Sequence, residues 1–221
     1  MSPELNLALD EALLRAGVET LRLYAWDPPG LSLGFFQRAA EFSCPPGFRL
    51  VRRPTGGGAI AHVGELTIAL IGRRRRVDAV YREINAWVTA ALGKLGITVA
   101  PGEGEPEAAP AGLCFDAHTR YDLMAGGRKV FGSAQRRGGD RFLLHGSLVL
   151  EPNPLARGAV SVAELAGRPV GRAEMEQAVV AAVQEITGAE LRAAAPTAEE
   201  WVDAHRLVSR RYGCDDWNRR R

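Results

Sequence analysis

The order of local signals along this 221-residue chain predicts an α+β domain, a mixed and mostly antiparallel sheet carrying helices on one side. Three observations lead there. Apolar residues recur at helical spacing in well-separated segments, short alternating or continuously apolar runs lie between them, and Gly or Pro punctuates the joins.

Ser2-Pro3 reads as an N-cap followed by Pro at the first helical position. Leu5, Leu9 and Leu13 with Ala8, Ala12 and Ala16 form one apolar face, and Gly17 ends the helix. Thr20 to Trp26 alternates as a strand, Pro28-Pro29-Gly30 turns, and Leu31 to Phe36 resumes extended structure, so a β-hairpin is expected behind the helix. A loop with Cys44, Pro45, Pro46 and Gly47 leads to a short strand, Phe48 to Arg52, and Glu65 to Ile71 reads as a buried strand. Val80, Ile84, Trp87, Val88, Ala91 and Leu95 mark a helix from Val77 to a stop at Gly96, followed by a short strand, Ile97 to Ala100. Pro101 to Gly112 is rich in Pro, Gly and Glu and is expected as an exposed loop. Gly126-Gly127 turns the chain into a strand that begins Arg128-Lys129, and Phe142 to Leu150 forms another. Pro152 to Gly171 is loop-like with a helical piece around Val160 to Leu165, and Glu174 to Thr187 is amphipathic. Thr197 and Glu200 make a capping box that opens a last helix through about Arg211.

With 46% hydrophobic residues and no separating linker, the chain is expected to form one domain over residues 1–221. The formal charge of +2 is too small to indicate nucleic acid. The N-terminus lacks a signal-peptide pattern and no stretch reaches membrane-span length, so a soluble cytoplasmic protein with no membrane partner is expected. Cys44, Cys114 and Cys214 lie far apart without a CxxC pair, which supports neither a disulfide framework nor a metal site. Arg73 to Arg76 reads as a solvated turn or as a docking patch for an acidic partner.

The chemistry centres on Cys114. It precedes the Gly126-Gly127 turn and the strand carrying Lys129, so a thiol and an ammonium reach one neighbourhood. A cation there favours the thiolate and can bind a developing oxyanion. The run Gly56-Gly57-Gly58 follows a strand that delivers Arg52 and Arg53, and lets backbone approach a ligand closely. It has neither Walker-loop nor dinucleotide spacing. His62 flanks it, and His145, inside an apolar strand, is either a general base or a satisfied core residue.

LRLYAWDPPGLSLGFFQ, RRPTGGGAIAH with ELTIAL, and YDLMAGGRKVFGSAQRR with LLHGSLVL together resemble the biotin/lipoate protein ligase superfamily on its lipoate side. The resemblance implies a class II aminoacyl-tRNA synthetase/biotin synthetase-like domain with its sheet flanked by helices. It also implies an acyl pocket lined by Arg53, Thr55, Gly56, Gly57, Gly58, His62, Gly132, Ser133, Ala134, His145 and Gly146. Cys114-Phe115 ahead of the YDL and GRK motifs matches the cysteine-dependent octanoyltransferases, which implies a nucleophilic Cys114 and a Lys129 directed at the acyl carbonyl. The implied partners are acyl carrier protein as donor and lipoyl domains or the glycine cleavage H protein as acceptor, with no cofactor. The alternatives are transfer between lipoyl domains, ATP- and Mg-dependent lipoate ligation, and a non-catalytic binder of acylated carrier proteins. His62-Val63 stands where the family often has His-Asp, and Tyr121-Asp122 where ligases typically carry Asn-Asp.

Overall fold

A computed structural model describes residues 1–105 and 112–220. Half of the loop expected at 101–112, positions 106–111, therefore lies outside the described residues. Helix α1 (Pro3–Ala16) opens as expected, with Ser2 Oγ accepting the Leu5 N–H at 3.3 Å, and closes at Gly17 with φ 85°. Strands β1 (Thr20–Tyr24), β2 (Gly30–Leu33), β3 (Arg49–Arg52), β4 (Ile60–His62) and β5 (Glu65–Arg73) precede α2 (Val77–Gly93). Strands β6 (Ala100–Pro101), β7 (Leu123–Ala125), β8 (Arg128–Gly138) and β9 (Arg141–Val149) lead to α3 (Val162–Ala166), α4 (Arg172–Thr187), α5 (Ala198–Leu207) and α6 (Asp215–Asn218). The Thr197/Glu200 capping box is present, but the last long helix stops at Leu207 in a π turn, Val208–Tyr212.

The larger sheet is antiparallel, in the order β1-β5-β9-β8-β7-β6. A smaller sheet, β3-β2-β4, mixes one parallel and one antiparallel pairing. The hairpin expected from Thr20 to Phe36 does not form. β1 pairs with β5 on the edge of the large sheet, while β2 crosses to become the centre of the small one. Pro28 and Pro29 have no N–H to give to a ladder, and every residue of β2 is buried, which requires neighbours on both sides.

Helices also cover both faces of the large sheet, not one. Leu66, Ile68 and Leu70 of β5 and Leu144 of β9 pack with Ile84 and Val88 of α2 and Met175 and Val179 of α4. Their neighbours Ala69, Ile71 and Leu143 pack with Leu7 and Ala12 of α1 and Leu207 of α5. The continuous apolar runs in β5 and β9 are the cause, since a strand apolar on both faces needs two covers. Each fully buried large side chain there contributes about 1.5–3 kcal/mol. The strand expected at Ile97 to Ala100 is reduced to Ala100–Pro101, because Ile97 turns into the core beneath α2.

Candidate active site

The glycine run and the cysteine segment are stitched together by backbone. The Cys114 N–H donates to the Ala59 carbonyl at 2.8 Å, and the Ala59 N–H donates to Gly112 O at 3.1 Å. A Cβ on Gly58 would meet Cys114 N at 2.8 Å, so glycine is required there for close approach. Arg53 shapes the same loop. It is buried, donates to Ser32 O at 2.9 Å, Gly56 O at 2.7 Å and Gly58 O at 2.6 Å, and burial lowers its pKa to about 10, which leaves it cationic at neutral pH.

Lys129 arrives from β8. Its Nζ donates to Cys114 O at 2.6 Å, lies 3.9 Å from Cys114 Sγ, and pairs with Asp122 Oδ2 at 3.0 Å. Asp122 is held in turn by the Thr119 N–H at 2.7 Å. Both members of the ion pair are buried. The thiolate expected beside Lys129 is not favoured at rest: burial pushes the Cys114 thiol up, Lys129 and Arg53 pull it down, and Asp122 adds to the rise. Desolvation of the sulfur wins, so the resting group is a thiol.

Two openings meet at Cys114. One is an apolar pocket of about 430 Å³, counted to its mouth, lined by Leu7, Tyr24, Trp26, Ile60 and His62 together with Arg53, Gly132, His145 and Gly146. The other is a broader groove of about 1030 Å³, lined by Gly56, Gly58, Tyr81, Tyr121, Asp122, Lys129 and Gln135. Gly57, Cys114, Ser133 and Ala134 line both. The antiparallel register Ser133↔Gly146 and Ala134↔His145 brings the two sequence motifs into one wall.

The two histidines are held from behind. His62 stacks on Trp26, with ring centroids 3.7 Å apart, and bonds Ser32 Oγ at 2.7 Å and Glu65 Oε1 at 2.6 Å. Ser147 Oγ donates to the other oxygen of Glu65. His145 Nε2 contacts Thr55 Oγ1 at 2.6 Å, and burial lowers its pKa, so it is neutral at neutral pH. Its Nδ1 faces Asp10 Oδ2 at 3.6 Å, longer than a hydrogen bond. Thr55 thus stands behind the pocket, whereas the other site residues expected from the sequence line one opening or both. Buried Ser133 Oγ, Gln135 Oε1 and Arg53 Nε have no hydrogen-bond partner among the described residues.

Asp122, Trp26, Glu65 and Asp10 escape the sequence reading as site residues. Asp122 stands in the quoted YDL motif, but nothing local indicates that its carboxylate meets Lys129. Among the described residues there is no cluster of three or more His, Cys, Asp or Glu suited to a metal ion, and no helix long and apolar enough to cross a membrane.

Residues 2–195 match the lipoyl protein ligase A/B catalytic domain. Octanoyltransferase LipM of Kyrpidia tusciae is 35% identical over 263 residues, covering 100% of this chain and 96% of that protein. Octanoyltransferase LipM of Symbiobacterium thermophilum is 35% identical over 257 residues, covering 98% and 94%. The crystal structure of lipoate-protein ligase A bound with ATP superimposes with TM-score 0.87 at 25% identity, covering 98% of this chain and 93% of that one. On the family match and these end-to-end relatives, the chain belongs to the lipoyl protein ligase A/B catalytic domain family.

Proposed function

We infer that this protein is an octanoyltransferase of protein lipoylation that carries the acyl group on Cys114. The observation that supports this most directly is the position of the Cys114 sulfur, where an apolar pocket meets an open groove beside Lys129. The alkyl chain occupies the pocket; roughly six methylenes at about 0.8 kcal/mol each hold it by about 5 kcal/mol without any contact at its far end. The groove admits the donor's thioester arm and later the acceptor lysine.

In the first step Cys114 Sγ attacks the donor's thioester carbonyl. A new C–S bond forms, the donor's C–S bond breaks, and the thiol proton of Cys114 leaves with the donor as its free thiol. In the second step the amine of a lipoyl-domain lysine attacks the Cys114 thioester, a C–N bond forms, the C–S bond to Cys114 breaks, and a proton from the amine returns to the Cys114 sulfur as the free thiol. Arg53 and Lys129 bring two positive charges and Asp122 one negative, so the site carries an excess positive charge with the thiol protonated. An oxyanion at either tetrahedral stage neutralises that excess. Two of the three Lys129 N–H groups are held by Asp122 and Cys114 O, and the third faces the Cys114 sulfur at 3.9 Å, from which it turns to the carbonyl oxygen once the sulfur is acylated.

Acyl carrier protein is the donor in this reading, lipoyl domains are the acceptors, no cofactor takes part, and the protein acts in the cytoplasm. The test is intact-mass analysis after incubation with octanoyl-acyl carrier protein without ATP, beside Cys114→Ala. A hydroxylamine-labile octanoyl adduct is expected on the native protein alone. Transfer to a lipoyl domain only with free octanoate and MgATP would make it a ligase, the reading the ATP-bound relative invites.

A further inference from the structure

The arginine run at the start of α2 has no part in the acyl chemistry, yet the fold brings it to the rim of the groove. Arg73, Arg74, Arg75 and Arg76 are all exposed, as is Arg82 one turn into the helix. β8 adds Arg137 on the same side, where it donates to Arg75 O. The rim is anchored to this ridge at two points: Gln135 Nε2 donates to Val77 O at 3.2 Å, and Tyr81 OH accepts the Gln135 N–H at 3.2 Å. Gln135 and Tyr81 line the groove that ends at Cys114, so the ridge begins one residue from its wall.

The charge of the ridge is largely uncompensated. Arg75 pairs with Glu83 at 2.9 Å, but among the described residues no carboxylate lies within ion-pair distance of Arg74, Arg76, Arg82 or Arg137. The nearby Asp78 accepts from the hydroxyl of Tyr121, whose ring stacks on Tyr81, and has Arg120 at 4.0 Å; Arg82 and Arg76 act on it only through space, without pairing. Arg75 packs over the Phe142 ring, 5.4 Å from its centroid, but the exposed Arg74, Arg76 and Arg82 have no place in the core beneath α2, which is made by Val80, Ile84, Trp87 and Val88. Exposed cations arranged around a cleft steer an oppositely charged partner, raising its association rate and setting its orientation.

We propose that Arg74, Arg76, Arg82 and Arg137 form the docking surface for the acyl donor, an acidic protein domain that presents its thioester on a flexible arm reaching down the groove to Cys114. This rests on the acyl-transfer reading above. A free small thioester needs no such surface, whereas a carrier domain must be oriented before its arm can enter.

The experiment compares the native protein with an Arg74→Glu/Arg76→Glu/Arg82→Glu variant, using two donors: octanoyl-acyl carrier protein and the uncharged octanoyl-N-acetylcysteamine. Arg75 is left intact because it pairs with Glu83, and a milder triple Gln variant guards against misfolding. The expected result is a rise of about tenfold or more in KM for the carrier donor in the Glu variant, a smaller rise in the Gln variant, and a flattened dependence on salt. Acylation of Cys114 by the uncharged thioester is expected to stay at the native rate in all three proteins. An unchanged carrier KM and salt dependence in the Glu variant would overturn the assignment, as would a rise in KM for the lipoyl-domain acceptor alone. If native Cys114 takes octanoyl from neither donor, the acyl-transfer reading itself fails and the docking surface falls with it.

Discussion

Lys129 Nζ sits 3.0 Å from Asp122 Oδ2, and this buried ion pair, not a thiolate, is the partner that holds the lysine in the resting site. Asp122 therefore has two opposed effects. It fixes Lys129 beside the Cys114 sulfur, where the proposed acyl transfer would bring a carbonyl oxygen, and its negative charge raises the Cys114 pKa.

Asp122→Asn is expected to move two rates in opposite directions. Losing the carboxylate charge lowers the thiol pKa, so iodoacetamide alkylates Cys114 faster at pH 8 than in the native protein. Losing the anchor of Lys129 slows octanoyl transfer by about a hundredfold. Slower alkylation together with slower transfer would show that Asp122 only maintains structure.

Because burial raises the Cys114 pKa, the thiolate fraction still climbs as pH passes the ordinary cysteine range near 9. Single-turnover acylation by an uncharged thioester is expected to increase steadily from pH 7 to 9.5. A plateau already reached by pH 7.5 would mean that an activated thiolate exists before substrate binds.

Gly58→Ala places a methyl group 2.8 Å from Cys114 N, against backbone that cannot swing away. The expected cost is about 1–3 kcal/mol of stability, with acyl transfer falling further than stability does, since Cys114 itself is displaced. Chemical denaturation and acylation kinetics on the same preparation separate the two effects.

Arg53→Lys keeps the charge but loses the planar fork that binds the carbonyls of Ser32, Gly56 and Gly58. A loss of about 2 kcal/mol in stability is expected from charged hydrogen bonds left unmade. Native stability from denaturant titration would show that the glycine loop holds its shape without the clamp.

His145 and Asp10 give the fold a pH dependence of defined sign. Burial depresses the His145 pKa, and Asp10 is also lowered, since Arg22, His145 and Tyr24 together outweigh the rise from its own burial. Both groups stabilise the fold above their unfolded-state pKa values. Stability is therefore lost as pH falls below about 6.5, where unfolded His protonates, and again through the carboxylate range. His145→Gln is expected to remove the first decline in a Tm-against-pH series and leave the second.

Much of this protein is legible in one dimension. The capped start of α1, the helical spacing of α2 and α4, and the turn that delivers Lys129 are local signals, set by propensity and periodicity within a few residues. The family motifs likewise pick out Cys114, Lys129 and the glycine loop. Tertiary structure decided the rest: which strands pair, that helices cover both sheet faces, that Asp122 meets Lys129, and that an arginine run borders the groove. It also decided the protonation of Cys114, because desolvation and the balance of three nearby charges depend on distances across strands that no local pattern encodes.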